Sequence, residues 1–186
     1  DHCQIGASMS YVGKLLVATP NLRTDPNFHR TVVYCYDQTD DLVAGLTLNR
    51  PTTKKVSDIF SGSQEPYSGA YAETLYRGGP VSEQSLLLLH TDDWQSQNTM
   101  QIGNQLCLSS DKFMFEKMAT GNVPNAYRFF FGITSWHPAQ LENEIKKHKA
   151  WLTTDANYSI VFNYENEDQW VKALDHTSKN LFDQYI

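Results

Sequence analysis

The sequence has little of the positive charge that nucleic-acid-binding proteins use. It carries 15 lysines and arginines against 21 aspartates and glutamates, which gives a net charge of −6. Its longest basic runs are the pairs Lys54–Lys55 and Lys146–Lys147. A protein that follows a phosphate backbone normally presents a concentrated basic face. Nucleic-acid binding is therefore disfavoured.

Cysteines are also scarce. The chain has three, Cys3, Cys35 and Cys107, and no two of them form a C-x-x-C pair. An odd number without that spacing argues against both a disulfide framework and a zinc site. Cys35 and Cys107 lie in apolar, strand-like stretches, so we interpret both as small buried hydrophobic residues.

Long apolar segments are absent as well. The run of leucines at residues 86–89 is far shorter than the roughly 20 residues that span a bilayer. Residues 1–8 lack the basic and then apolar pattern of a signal peptide. We therefore expect a soluble cytoplasmic protein without membrane contact, in which residues 1–8 form an N-terminal extension.

The familiar motifs of catalysis are missing too. The sequence contains no Walker loop, no G-x-G-x-x-G, no H-E-x-x-H and no G-x-S-x-G. The motifs thus give no reason to expect a cofactor, a metal ion or a catalytic residue. An enzymatic activity is not indicated, although one of an unrecognised kind stays open.

What is present is a mixed series of strands and helices. Apolar or β-branched runs predict strands, and apolar residues at helical spacing predict helices. About eight strands and four helices in mixed order predict an α+β fold. The clearest predicted strands are residues 13–20, 31–37, 43–51, 84–91, 129–133 and 158–163.

The helices and loops have local signals of their own. A helix with Phe113, Met114 and Met118 on its apolar side ends at Gly121, and Pro138 begins a helix that runs to about residue 150. Residues 129–163 then predict a parallel strand–helix–strand crossover. Asn166 and Gln169 resemble a capping box at the start of the last helix, and residues 61–73 predict a mobile loop.

Four short segments contain chemistry that could serve a site. His90 beside Asp92 and Asp93 could hold a cation, but adjacent residues of an extended chain point apart, which favours a solvated loop. Gly78 and Gly79 permit either a close backbone approach to a ligand or a tight turn.

The remaining segments hold an arginine and a helix start. Arg50 could offer a bidentate fork to a carboxylate or phosphate, while Asn49 could bond a local turn. Gln140 and Glu142 lie two positions apart and do not share a helix face. Trp136 suits a core residue better than a stacking platform.

Taken in order, four blocks resemble the AlgH/YqgE family of bacterial proteins. They are GKLLVATPNLRTDPNFHRTVVY at residues 13–34, GLTLNRP at 45–51, RGGPV at 77–81 and GITSWHPAQLENEI at 132–145. The resemblance implies one α+β domain over residues 9–186, in which mixed, bifurcated sheets form a pseudo-barrel with about four flanking helices. It implies a regulatory role and supplies no catalytic residues. The family blocks place the candidate binding surface at Arg30, Asn49, Arg50, Gly78, Gly79, Trp136, Gln140 and Glu142.

Three functional hypotheses follow. The first is a non-enzymatic regulatory or interaction protein with an unidentified protein partner, and the chain is also compatible with a homodimer. The second is a small-molecule-binding protein or uncharacterised enzyme with a site at Arg50, Gly78, Gly79 and Glu142. The third is a DNA-binding transcriptional regulator, which the acidic net charge disfavours.

Overall fold

The computed structural model describes residues 9–60 and 73–183. Its strands are β1 (Lys14–Ala18), β2 (Val32–Gln38), β3 (Val43–Thr47), β4 (Pro51–Lys55), β5 (Thr74–Arg77), β6 (Val81–Thr91), β7 (Met100–Gly103), β8 (Leu106–Ser109), β9 (Tyr127–Trp136) and β10 (Trp151–Asp155). Its α-helices are α1 (Phe113–Ala119), α2 (Pro138–Lys146), α3 (Tyr158–Phe162) and α4 (Asn166–Asp183). The predicted α+β class is confirmed. Residues 1–8 lie outside the described residues, as do residues 61–72 of the loop predicted at 61–73.

The sheet branches at β9. Its main path runs β10-β1-β2-β3-β9-β6-β8-β7, and neighbours along this path are antiparallel. The first half of β9 pairs in parallel with β5, which also pairs with β4, whereas its last residues pair with β3. Gly132, with a φ of +71°, lies where the partner changes. This branching confirms the bifurcated sheet, which curls into a half-barrel.

The sheet is covered on both faces around β1. Side chains alternate along a strand, so Leu15 and Val17 enter one core with α3 and α4, while Leu16 and Ala18 enter another with α2. A strand that is buried on both faces has a continuous apolar sequence rather than an alternating one. The apolar run at residues 15–18 therefore reflects two cores.

Helix α1 covers a third core beside the branch. Met114 and Met118 are buried there against Phe129 and Trp94. Phe113, which the sequence placed on the same apolar side, is instead 54% exposed. It is the first helical residue, and it lies outside the face that packs on the sheet.

Residues 158–163 were wrongly predicted as a strand, and most of them form helix α3. The Asn157 side chain caps this helix by accepting a hydrogen bond from the Ile160 amide at 3.0 Å. A short apolar run does not distinguish a strand from a buried helix by periodicity alone. The predicted strand–helix–strand crossover is present, but its second strand is β10. Four successive antiparallel pairings lead from β9 to β10, and an even number of reversals means that these two strands run in the same direction.

Two further local predictions were wrong at helix ends. Helix α2 ends at Lys146 rather than near residue 150, and Lys149 adopts a left-handed φ of 51°. Asn166 and Gln169 do not form a capping box. The side-chain amide of Gln169 is buried and donates to the carbonyls of Ile160 and Val161 at 3.0 and 2.9 Å. These hydrogen bonds connect α4 to α3.

The described ranges contain no helix that is both long and apolar enough to cross a membrane.

Candidate functional site

An open cleft of about 270 Å³ lies between the turn before β2 and the β4–β5 pair. We call it the arginine cleft. Three of the four sequence blocks contribute to it, although they are far apart along the chain. Its walls are formed by residues 26–28, 47, 50–52, 77, 79 and 80.

The first wall is a turn that Asp25 holds in shape. Its carboxylate accepts hydrogen bonds from the amides of Asn27 and Phe28 at 2.8 and 2.9 Å, as an Asx turn does. The Phe28 ring stacks on Trp136 at a centroid distance of 5.7 Å and meets the edge of Trp151 at 5.4 Å. Phe28 is therefore a fixed apolar wall supported by two core tryptophans.

Arg50 and Arg77 bring two positive charges to the cleft. The Arg77 amide donates to the Arg50 carbonyl oxygen at 2.9 Å, so the residues are neighbours across the β4–β5 pair. The Arg50 guanidinium donates to the His29 carbonyl, and that of Arg77 donates to Glu83 at 2.7 Å. Burial lowers the pKa of Arg50, and Glu167 acts in the opposite direction. A guanidinium remains charged despite such a shift.

Gly78 and Gly79 are required by the crossing of two backbones. A Cβ at Gly79 would lie 2.2 Å from the Ile133 carbonyl oxygen, and one at Gly78 would lie 2.3 Å from that of Gly132. Gly78 also donates to Phe131 and accepts from Thr47, both at 2.9 Å. Close contact between two backbone segments, rather than a tight turn, therefore explains both glycines, and Gly79 additionally lines the cleft.

Asn49 and Arg30 are engaged in supporting the fold. The Asn49 side chain, 1% exposed, accepts from the Val32 amide at 3.0 Å and donates to the carbonyls of Arg30 and Asn166, each at 2.9 Å. Arg30 has a left-handed φ of 52°, and its guanidinium pairs with Glu167 at 2.9 Å. Neither residue is among those that line the cleft.

The candidates of the fourth block are separate from the cleft. Trp136 is buried behind Phe28, in agreement with the core interpretation. Gln140 is exposed on the first turn of α2, and Glu142 pairs with Lys146 at 2.6 Å. The structure therefore brings Arg50 and Gly79 together in one cleft, whereas Glu142 does not line it.

Glu144, which the candidate surface did not include, has a side chain that turns inward from α2. One carboxylate oxygen accepts a long hydrogen bond of 3.5 Å from the Trp151 indole, and the other is buried without a hydrogen-bond partner. Burial raises the pKa of this carboxyl. Phe28 and Arg77 were also missed as cleft residues, although both belong to the quoted blocks.

Two other polar clusters are structural. His90 contacts the Ser109 hydroxyl at 2.7 Å, but both residues are fully buried, and burial lowers the pKa of the imidazole. Arg128 is buried under Tyr76 and donates to carbonyls of neighbouring segments. Within the described ranges, no group of three or more His, Cys, Asp or Glu side chains could hold a metal ion.

The buried cysteines agree with their interpretation. Cys35 and Cys107 are free and buried in β2 and β8. Burial raises the pKa of the Cys35 thiol to about 12, so almost none of it is thiolate at neutral pH. Both side chains act as small apolar residues of the core.

The curled, branched sheet and the helices of the described residues define an α+β protein with an open, arginine-lined cleft. Comparison with known proteins identifies the family: the AlgH-like family model matches residues 15–181. The chain belongs to this family, whose molecular function is uncharacterised.

Relatives of similar length support this assignment. The chain is 32% identical to a UPF0301 protein of Rickettsia felis and 31% identical to one of Rickettsia massiliae, each over 165 residues that cover 88% of the chain and 87% of the relative. The solution structure of AlgH from Pseudomonas aeruginosa is similar with a TM-score of 0.74 at 28% identity, covering 90% of this chain and 89% of that one.

A crystal structure of a protein from Corynebacterium diphtheriae extends the likeness in fold alone. Its TM-score is 0.70 at 20% identity, and the match covers 91% of this chain and 88% of that one. The branched sheet is therefore shared by proteins that have diverged widely in sequence.

Proposed function

We propose that the protein is a non-enzymatic regulatory protein that binds a small organic anion in the arginine cleft. The observation that carries this proposal is that Arg50, just before β4, and Arg77, at the end of β5, lie opposite each other and both line one cleft. Like charges on neighbouring strands destabilise a sheet. An anionic ligand would offset that repulsion.

The other walls suit the organic part of such a ligand. The Phe28 ring and the rings of Pro26, Pro51 and Pro80 supply apolar surface beside the two guanidinium groups. The volume of about 270 Å³ lies just below the roughly 300–1,000 Å³ usual for ligand pockets. The ligand is accordingly a small metabolite rather than a dinucleotide.

The side chains in the cleft are suited to holding a ligand rather than to transferring protons. A guanidinium stays protonated in proteins, so it supplies charge and directed hydrogen bonds but no general base. The Thr52 hydroxyl already donates to the Leu75 carbonyl at 2.7 Å. These roles support binding over the alternative of an uncharacterised enzyme.

Calorimetric titration with benzoate tests the proposal. We expect binding by the wild-type protein and at least about tenfold weaker binding by Arg50→Gln, because a charge-assisted hydrogen bond contributes roughly 1.5–3 kcal/mol. Arg77→Gln should also weaken binding, because it leaves the Glu83 carboxylate without its partner beside the cleft. Lys179→Gln removes the same charge from the far part of α4 and is the matched control. Equal affinities in all four proteins would refute the proposal.

The predicted regulatory partner remains part of this proposal. An interaction surface is favoured by Phe182, a large apolar side chain on α4 that is 72% exposed. Sedimentation velocity of the wild type and of Phe182→Ser tests whether the partner is a second copy, which predicts a dimer that the substitution weakens. The cytoplasmic location stays a prediction, and the net charge of −6 continues to disfavour DNA binding.

A further inference from the structure

The two arginines of the cleft differ in how their charge is balanced. Arg77 forms an ion pair with Glu83 at 2.7 Å. Across the described part of the chain, no carboxylate lies within ion-pair distance of Arg50. Of the two guanidinium groups of the cleft, Arg77 therefore has a direct ion-pair partner, whereas Arg50 interacts only at longer range with Glu167.

Glu83 belongs to an irregularly paired segment of the sheet. It lies in β6, where the register shifts between the pairs Val81–Ile133 and Leu86–Phe131. Residues 82–85 consequently stand opposite Gly132 alone and bulge away from the ladder. The Glu83 side chain is 50% exposed. An exposed ion pair of this kind contributes little to stability, so its carboxylate can be displaced from Arg77.

We propose that Glu83 is an internal competitor that makes the cleft selective for monoanionic carboxylates over dianionic phosphates. This inference rests on the proposed function. One unpaired guanidinium matches one negative charge, and a carboxylate can accept two parallel hydrogen bonds from it. A dianion must either displace Glu83 from Arg77 or leave one of its own charges without a partner in a partly desolvated cleft.

The apolar walls determine the rest of the ligand. Phe28 is fixed by its stacking on Trp136, and the proline rings of residues 26, 51 and 80 have no conformational freedom to lose. A flat, apolar body can pack on such surfaces at a low entropic cost. Small aromatic or branched carboxylates therefore form the ligand class.

Two probes with the same ring separate the effects of charge and shape. Benzoate carries one negative charge, and phenyl phosphate carries close to two, about −1.5 to −2 at neutral pH. Both are titrated by calorimetry at low ionic strength, because salt screens exposed charges. The proteins compared are the wild type, Glu83→Gln and the control Glu116→Gln, which removes an exposed carboxylate from α1.

We expect the wild type to prefer benzoate. Glu83→Gln should raise the affinity for phenyl phosphate relative to benzoate by about two- to fivefold, the range that an exposed ion pair allows. Glu116→Gln should leave that ratio unchanged. Binding of phenyl phosphate by Glu83→Gln alone would also support the inference.

The other outcomes distinguish the inference from the function on which it rests. If the wild type binds benzoate through Arg50 but Glu83→Gln leaves the ratio of the two affinities unchanged, the competitor role of Glu83 is wrong and the cleft remains a binding site. If none of the proteins binds either probe, both the inference and the proposed function are overturned.

Discussion

Replacement of Asn49 by alanine should destabilise the protein severely, although Asn49 does not line the arginine cleft. The side chain makes three hydrogen bonds to backbone groups, at 3.0, 2.9 and 2.9 Å, and it is 1% exposed. These bonds join the start of β2, the turn at Arg30 and the start of α4. At a net contribution of about 1 kcal/mol each, Asn49→Ala should lower the free energy of unfolding by about 3 kcal/mol.

Thermal and urea unfolding measure this loss directly. For a protein of this size, 3 kcal/mol corresponds to a fall in Tm of about 6–12 °C. Asn143→Ala is the control, because the Asn143 side chain is exposed on α2 and its hydrogen bond, at 3.3 Å, goes to the exposed His148; its effect should stay within about 0.5 kcal/mol. A loss below about 1 kcal/mol for Asn49→Ala would refute the structural role that we assign to this residue.

Three further substitutions or modifications probe the rest of the molecule. Gly79→Ala places a Cβ 2.2 Å from the Ile133 carbonyl oxygen; we expect a loss of at least about 3 kcal/mol in urea unfolding, and near wild-type stability would contradict the crossing. Burial raises the pKa of the Glu144 carboxyl above its usual value of 4.5. The contribution of this carboxyl to stability is therefore complete below about pH 4.5 and is lost as the pH rises through the pKa of the folded state. Glu144→Gln should remove this decline from the pH series of unfolding free energies, and identical profiles would contradict it. Cys35, with a pKa raised to about 12, should resist iodoacetamide in the folded protein and react in urea, as read by peptide mass spectrometry; rapid labelling of the folded protein would be inconsistent with its burial.

Three of the four sequence blocks contribute residues to the cleft. The sequence did not distinguish the residues that line the cleft from those that support it. Asn49 and Arg50 are adjacent in one block, yet the Asn49 side chain supports the backbone of three segments while Arg50 faces the cleft. The conformation of the turn at these positions decides which of the two residues is buried. Residues that are far away in the sequence hold that turn in place. Arg77 was not predicted as a cleft residue for a related reason, since the interpretation of its segment considered only the neighbouring Gly78 and Gly79.

The fold class followed from the pattern of apolar residues, but the identity of short elements did not. Residues 158–163 have the composition of a strand and form α3, because Asn157 caps the helix and buried Ile160 and Val161 pack against the sheet. Strand β10 was missed because Trp151–Asp155 combines an apolar start with a polar end. The branch at β9 involves pairings that are remote in the chain, and periodicity carries no information about them.

The account depends most on the claim that the arginine cleft is where a small anion binds. The direct measurement is a titration of the ¹⁵N-labelled protein with benzoate, followed by amide chemical shifts. We predict that the largest changes fall on amides of residues that line the cleft, among them Phe28, Thr52 and Gly79. Changes confined to α1 or α4, or no changes at all, would contradict the claim.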